Sequence, residues 1–346
     1  MDANSSAAID IVESAYDLEA EAADWLPNVL RAGADLFDFG LGSYGTVAAG
    51  RSSDGVPIIS QLAVSPGAET LAKNVMLAGR DAGPEVVARA SEGVRGKVYT
   101  LSESRSRFPD AYDAIVRRTG CRDFLFLTAV DPDYKGPHIS IASNDIIELD
   151  RRERTFWQML EVHLSTGHRL RRGLGQGDEA AGTPLTELPL QGEAIIDPRR
   201  FLVSHACGDA KRTEACSAIR HAAQRVDKAR GPLRRSDPDE ALRLWKGLVR
   251  GKWTLLDWFD ADGRRFIIAK PNALRVLDPR GLTEREAQVV TYAATGESNK
   301  IIGYRLGLSS SYVSRLLSSA MRKLGVKTQA QLVEKLAGVE QALPAA

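Results

Sequence analysis

The chain has 346 residues, with 46 Lys and Arg against 45 Asp and Glu and a net charge of +1, so no whole-chain field draws it to nucleic acid or to an anionic membrane; any such attraction must come from local patches. With 43% hydrophobic and 26% charged residues, the composition is that of an ordinary globular protein, long enough for two or three domains with cores of their own. Three cysteines, Cys121, Cys207 and Cys216, make no disulfide framework and fit a reducing cytoplasm; no apolar run approaches the roughly 18 residues of a membrane span, and the acidic N-terminus lacks a signal-peptide pattern.

Ile11, Ala15, Leu18, Ala22, Trp25 and Val29 recur at helical spacing, which predicts an amphipathic helix from about Ala7 to the approach of Pro27, resuming to Ala32. The run 37–65 predicts a hairpin with Asp54-Gly55 at its turn. Helical periodicity returns over 67–77 and 83–92, followed by a short strand over 97–101 and a helix over 110–118. A second hairpin pairs the near-continuously apolar strand 123–130 with 138–143 across the turn 131–137. Phe156, Leu160, Leu164 and Leu170 mark a long helix over 150–172. Its stripe, with Trp157, either packs on its own sheet or offers a dimer face. Residues 173–192, rich in Gly, Pro and small polar side chains, are expected to be a linker. Over 193–271 come two short strands around Asp197-Pro198, helices over 209–230 and 238–248, and a hairpin with Asp262-Gly263 at its tip. Residues 272–280 form a connector.

The order helix, hairpin, helices, hairpin, helix predicts an α+β domain over 1–172, an antiparallel sheet faced by helices. By element order it resembles the GAF/PAS class of sensory domains, and 193–271 resembles a trimmed PAS-like unit. The resemblance implies that the N-terminal domains receive a small-molecule or protein signal.

The last stretch, 281–340, predicts an all-α domain of four short helices. Thr283 and Glu286 are spaced as a capping box, and the helix they open stops at Gly296. Ser298 caps a second helix ending at Gly307, Ser309 a third from about Ser310 to Leu324, and Thr328 a fourth carrying Leu332, Val333 and Leu336. Only Gly307, Leu308 and Ser309 join the second helix to the third, so the two must cross steeply, as in a helix-turn-helix. Val313, Leu317 or Leu316, Ala320 and Leu324 line the inner side of the third helix. Its other side carries Ser311, Ser314, Arg315, Ser318, Ser319, Arg322 and Lys323, groups that donate to phosphates and base edges.

The run LTEREAQVV…GESNKIIGYRLGLSSSYV…RKLGV resembles the LuxR-type helix-turn-helix of bacterial transcription regulators. The resemblance implies that Ser314, Arg315 and Ser318 read bases, and that Asn299, Lys300, Ser311, Tyr312, Ser319 and Lys323 lie near the DNA backbone; Arg322, on the same outward side of the helix, is a further candidate phosphate donor. Tyr312 and Leu316 depart from the family, which usually has threonine and often histidine there. From Leu282 to the C-terminus eight cations (Arg285, Lys300, Arg305, Arg315, Arg322, Lys323, Lys327, Lys335) face five glutamates (Glu284, Glu286, Glu297, Glu334, Glu340), a modest electrostatic footprint.

No other chemistry stands out. The five histidines are scattered, Cys207 and Cys216 are too far apart for a tight ligand pair, and GLGQG in the linker has no strand before it and no helix after it. No metal, no cofactor and no enzymatic activity are expected. The basic run 229–237 reads as a solvated loop or as a second phosphate patch, and Trp245, Trp253, Trp258 and Phe259 as core. The sequence thus predicts a multidomain cytoplasmic regulator, α+β followed by an all-α helix-turn-helix, that binds double-stranded DNA as a homodimer. The alternative is a protein-interaction regulator with little DNA affinity of its own.

Overall fold

The first break in the chain is set by an aspartate rather than by a proline. Asp17 Oδ1 accepts the amides of Glu19 and Ala20 (3.0 and 3.2 Å), a turn that competes with helix. The single helix expected up to Pro27 is therefore two, α1 (Asp2–Ala15) and α2 (Ala22–Ala32), and α2 runs through Pro27. A proline inside a helix leaves the carbonyl four residues back without its amide. Here the side-chain amide of Gln61 donates to Ala23 O at 2.6 Å and replaces the missing bond.

The computed structural model describes residues 2–94, 96–131, 134–175, 188–272 and 282–340. These group into two compact units, Met1–Leu185 with Ala229–Leu244, and Thr186–Lys228 with Trp245–Ala346.

In the first unit, β1 (Gly40–Arg51) and β2 (Pro57–Val64) form the hairpin around Gly55. They are followed by α3 (Glu69–Ala82), α4 (Pro84–Val94), β3 (Val98–Thr100), α5 (Leu101–Ser104) and α6 (Pro109–Thr119), then by β4 (Asp123–Thr128), β5 (Lys135–Ser143) and α7 (Arg151–Gly175). The strands make one antiparallel sheet in the order β2-β1-β5-β4-β3. Tyr44, Phe124, Phe126 and Ala142 project to one face and pack against Leu71, Ala72 and Val75 of α3 and Tyr112, Ile115 and Val116 of α6. α2 and α7 pack on the sheet as well, with Leu26 set against Gly45, the neighbour of Tyr44. Successive strand residues point to opposite faces, so the sheet is covered on both. Trp157, Leu160, Leu164 and Leu170 of α7 are buried, where the helix meets β3, β4, β5 and α1. That stripe packs on its own sheet and is no open dimer face.

α8 (Leu188–Gln191) leads into β6 (Ala194–Asp197) and β7 (Leu202–Ala206), a 3-10 turn at Gly208–Lys211 and α9 (Thr213–Arg230). The linker expected over 173–192 falls largely on residues outside those described. α10 (Leu233–Ser236) and α11 (Pro238–Leu244) belong to the first unit and pack on α1. Arg234, from the basic run, is part-exposed and ion-pairs there with Asp10 and with Glu13 (2.7 Å to the latter), so its charge is already matched by carboxylates; Arg235 beside it is exposed.

The second unit carries a four-stranded antiparallel sheet, β7-β6-β9-β8, with β8 (Trp253–Phe259) and β9 (Arg265–Pro271) joined at Gly263. Ile195, Ile268 and Leu256 pair across three strands. Trp245 and Trp253 are core, as expected, whereas Phe259 is exposed. The predicted helix 238–248 stops at Leu244, and Trp245–Lys252 leaves it as a strap, with the Leu248 and Gly251 amides donating to Arg305 O and Leu306 O. The connector 272–280 lies almost wholly outside the described residues. After it come α12 (Glu284–Ala294), α13 (Asn299–Leu306), α14 (Ser310–Leu324) and α15 (Gln329–Glu340).

Candidate nucleic-acid interface

The C-terminal helices begin and end on the residues that the local rules select. Thr283 Oγ1 accepts from Glu286 N at 3.3 Å, and the Glu286 carboxylate accepts from Thr283 N at 2.8 Å, so both halves of the capping box form. Ser298 caps α13 through Ile301 N (3.4 Å), Ser309 caps α14 through Tyr312 N (3.2 Å), and Thr328 accepts from Gln331 N (3.2 Å) ahead of α15. Gly307 (φ 65°) and Gly325 (φ 66°) end α13 and α14 in the left-handed region, which glycine enters without cost. The three-residue turn at Gly307 brings Leu308 N to Gly303 O (2.8 Å), and Leu306 is buried beneath it.

α14 presents three stripes. Val313, Ala320 and Leu324 are buried in a core with Val289, Val290, Ala293, Ile302, Leu306 and Leu332, and Leu316 and Leu317 pack at its edge. Of the α15 residues at helical spacing, Leu332 is buried and Val333 is 40% exposed. Ser311, Ser314, Arg315, Ser318 and Arg322 are all exposed; they recur every three or four residues and share one face. No acidic residue occurs in α14. Tyr312, Ser319 and Lys323 form the third stripe, turned toward α12. Ser319 donates to Glu286 Oε1 (2.7 Å), and Lys323 Nζ lies 2.6 Å from Glu286 Oε2. Tyr312 is half-buried, with the Arg315 guanidinium 5.3 Å from its ring centroid. Asn299, half-buried, and Lys300, exposed, open α13.

Residues 280–336 match the family model for bacterial regulatory proteins of the luxR family (GerE). The C-terminal helical domain is a LuxR-family helix-turn-helix domain. No curated protein matches the chain. Among the described residues no group of three or more His, Cys, Asp and Glu side chains is placed to hold a metal ion, and no helix is long and apolar enough to cross a membrane.

Two features of this LuxR-type domain escaped the sequence. The first is Glu286, which is buried and binds Thr283, Ser319 and Lys323 at once. Burial by itself would raise its carboxyl, but the Lys323 ammonium, the Thr283 amide and the two hydroxyls outweigh it and lower the pKa to about 2. A carboxyl depressed in the folded state stabilises that state above its unfolded pKa, and the contribution fades as pH falls toward the folded value. The helix-turn-helix is therefore expected to lose stability between about pH 5 and pH 2. Glu286→Gln should flatten that dependence, as read by hydrogen exchange over α12 and α14 at pH 5.5 and pH 3. Lys323 is 39% exposed, so added salt should screen part of the effect.

The second is the strap. Leu248 N donates to Arg305 O (3.1 Å), Gly251 N to Leu306 O (2.5 Å), and Gln288 Nε2 to Gly251 O (3.2 Å). Lys246 Nζ sits 4.4 Å from the Tyr304 ring centroid. Leu248, outside the matched segment, is fully buried in the core of the helix-turn-helix. The strap binds the end of α13, where the last carbonyls of a helix need partners. A Cβ on Gly307 would overlap the Leu248 carbonyl oxygen, so glycine there serves the strap as well as the turn.

Proposed function

We propose that this chain is a transcription regulator that sets α14 in the DNA major groove, with Ser314, Arg315 and Ser318 at the base edges. Lys300, Ser311 and Arg322 meet backbone phosphates, and Asn299, Tyr312, Ser319 and Lys323 flank them. One observation carries the reading: the hydroxyl- and arginine-bearing stripe of α14 lies exposed, free of carboxylates, beyond the tight turn at Gly307. Each phosphate neutralised contributes a slope of about 0.9 in log K against log salt. Lys300 and Arg322 should together contribute about 1.8 per subunit, measured by fluorescence anisotropy with duplex DNA. Arg315→Ala should relax sequence preference, whereas Arg322→Ala should lower the slope by about 1. Lys323→Ala should lower it less, because Glu286 already holds the ammonium. A slope near zero for the intact protein would sink the reading.

The N-terminal sheets are the sensory part of this scheme, and the molecule acts as a homodimer on paired half-sites. Antiparallel sheets with helices packed against them support a signal-receiving role. The competing reading, a partner-binding regulator, draws on the edge strand β2, where Ile58, Ile59 and Leu62 are each more than two-fifths exposed; a strand edge of that kind invites pairing with another chain. Arg315→Ala separates the two, since it would weaken binding to the preferred sequence and leave partner capture unchanged.

A further inference from the structure

The second unit holds a cleft to which the DNA-binding reading gives no task. Its volume is about 870 Å³, the size of a small-molecule site. One wall is the start of α9 with residues 250–253, and the other is the first turns of α12 with Tyr312 of α14. Ligand pockets are mostly apolar, but this one is dominated by charge. Lys252 pairs with Asp209 at 2.5 Å, and Arg250 with Glu214 at 3.5 Å. Lys252 holds the Asp209 carboxyl below the usual range, and Arg212 and Arg285, also on the walls, add to the effect. With Glu284 included, four cations face three carboxylates, and the excess sits with the two arginines.

The cleft also meets a buried acceptor. Gln288 is 2% exposed. Its Nε2 donates to Gly251 O, which fixes the orientation of the amide. Among the described residues, nothing donates to its Oε1. A buried acceptor without a donor is costly, and Gly251 adds to the tightness there, since a Cβ on it would lie 2.7 Å from that oxygen.

We propose that this cleft binds a small organic anion that also carries a hydrogen-bond donor, with Arg212 and Arg285 holding the anionic group and Gln288 Oε1 accepting from the donor. Tyr312 ties the site to the recognition helix, because its ring lines the cleft and carries Arg315 on its face. An occupant that moves Tyr312 moves Arg315, and so alters base reading. The ligand site does not depend on the proposed DNA binding; its effect on DNA does.

The test is isothermal titration of the full chain, without DNA, against AMP, citrate and glutamate, each of which joins an anion to a donor. At least one should bind with a Kd on the order of 0.1 mM or tighter. Arg212→Ala, an exposed position, and Gln288→Met, which keeps the volume, should each weaken that binding at least tenfold. Absence of binding by all three compounds, or binding that survives both substitutions, overturns the site. DNA titration of the loaded protein then reads the coupling: altered affinity supports it, and unaltered affinity removes the regulatory role. Ligand binding in a protein that never binds DNA would leave the site standing and remove the DNA reading.

Discussion

Arg305→Ala is expected to destabilise the helix-turn-helix by about 3–5 kcal/mol, the usual cost of stranding one member of a buried ion pair. Arg305 and Glu297 are almost completely buried and joined by two bonds, Nη2–Oε1 at 2.8 Å and Nε–Oε2 at 3.3 Å. Arg305 also lies 4.6 Å from the Tyr292 ring centroid. Desolvation pushes the Glu297 carboxyl upward, opposed by the guanidinium; without Arg305 only the upward push remains. The loss should appear as faster hydrogen exchange across α12, α13 and α14. The double variant Glu297→Leu with Arg305→Met should recover most of the stability, because an apolar pair of similar volume avoids the desolvation penalty. If Arg305→Ala left exchange unchanged while weakening DNA binding, the residue would be a surface cation and the buried pair would be wrong.

Leu248→Ala should cost about 2–5 kcal/mol, the range for emptying a buried leucine site. The informative part is where the damage falls. Leu248 lies outside residues 280–336, yet it fills the core formed by Val290, Ile302, Leu306 and Val313. Exchange is therefore expected to rise in α13 and α14 more than in β8 and β9, beside which Leu248 sits in the chain. Leu202→Ala, at a 55% exposed position, serves as a control and should leave both regions unchanged. Damage confined to the sheet would show that the strap does not support the DNA-binding helices.

Much of the architecture was legible because its determinants are local. Caps at Thr283, Ser298 and Ser309 and stops at Gly307 and Gly325 act within a few residues, as do the Asp54-Gly55 and Asp262-Gly263 turns. The helix-turn-helix therefore appears in the structure with the boundaries its sequence predicts, and its outward stripe of Ser311, Ser314, Arg315, Ser318 and Arg322 follows from helical spacing alone. The helix through Pro27 shows the same rule failing, since only the distant Gln61 amide makes that proline tolerable.

What the sequence by itself determined, then, was most of the elements, the two hairpin-built sheets and the short turn at Gly307 that joins α13 to α14. Tertiary structure alone decided which cations are exposed. Arg305, counted with the basic residues, is spent on Glu297, and Lys323 is held by a carboxylate 37 residues away. It also decided that Leu248 completes a core it does not adjoin in the chain, and that Gln288 faces a charged cleft. A helix signals its ends through its own turn, but the partner of a buried charge or an orphan carbonyl is whichever group folding brings near, and no spacing rule encodes that choice.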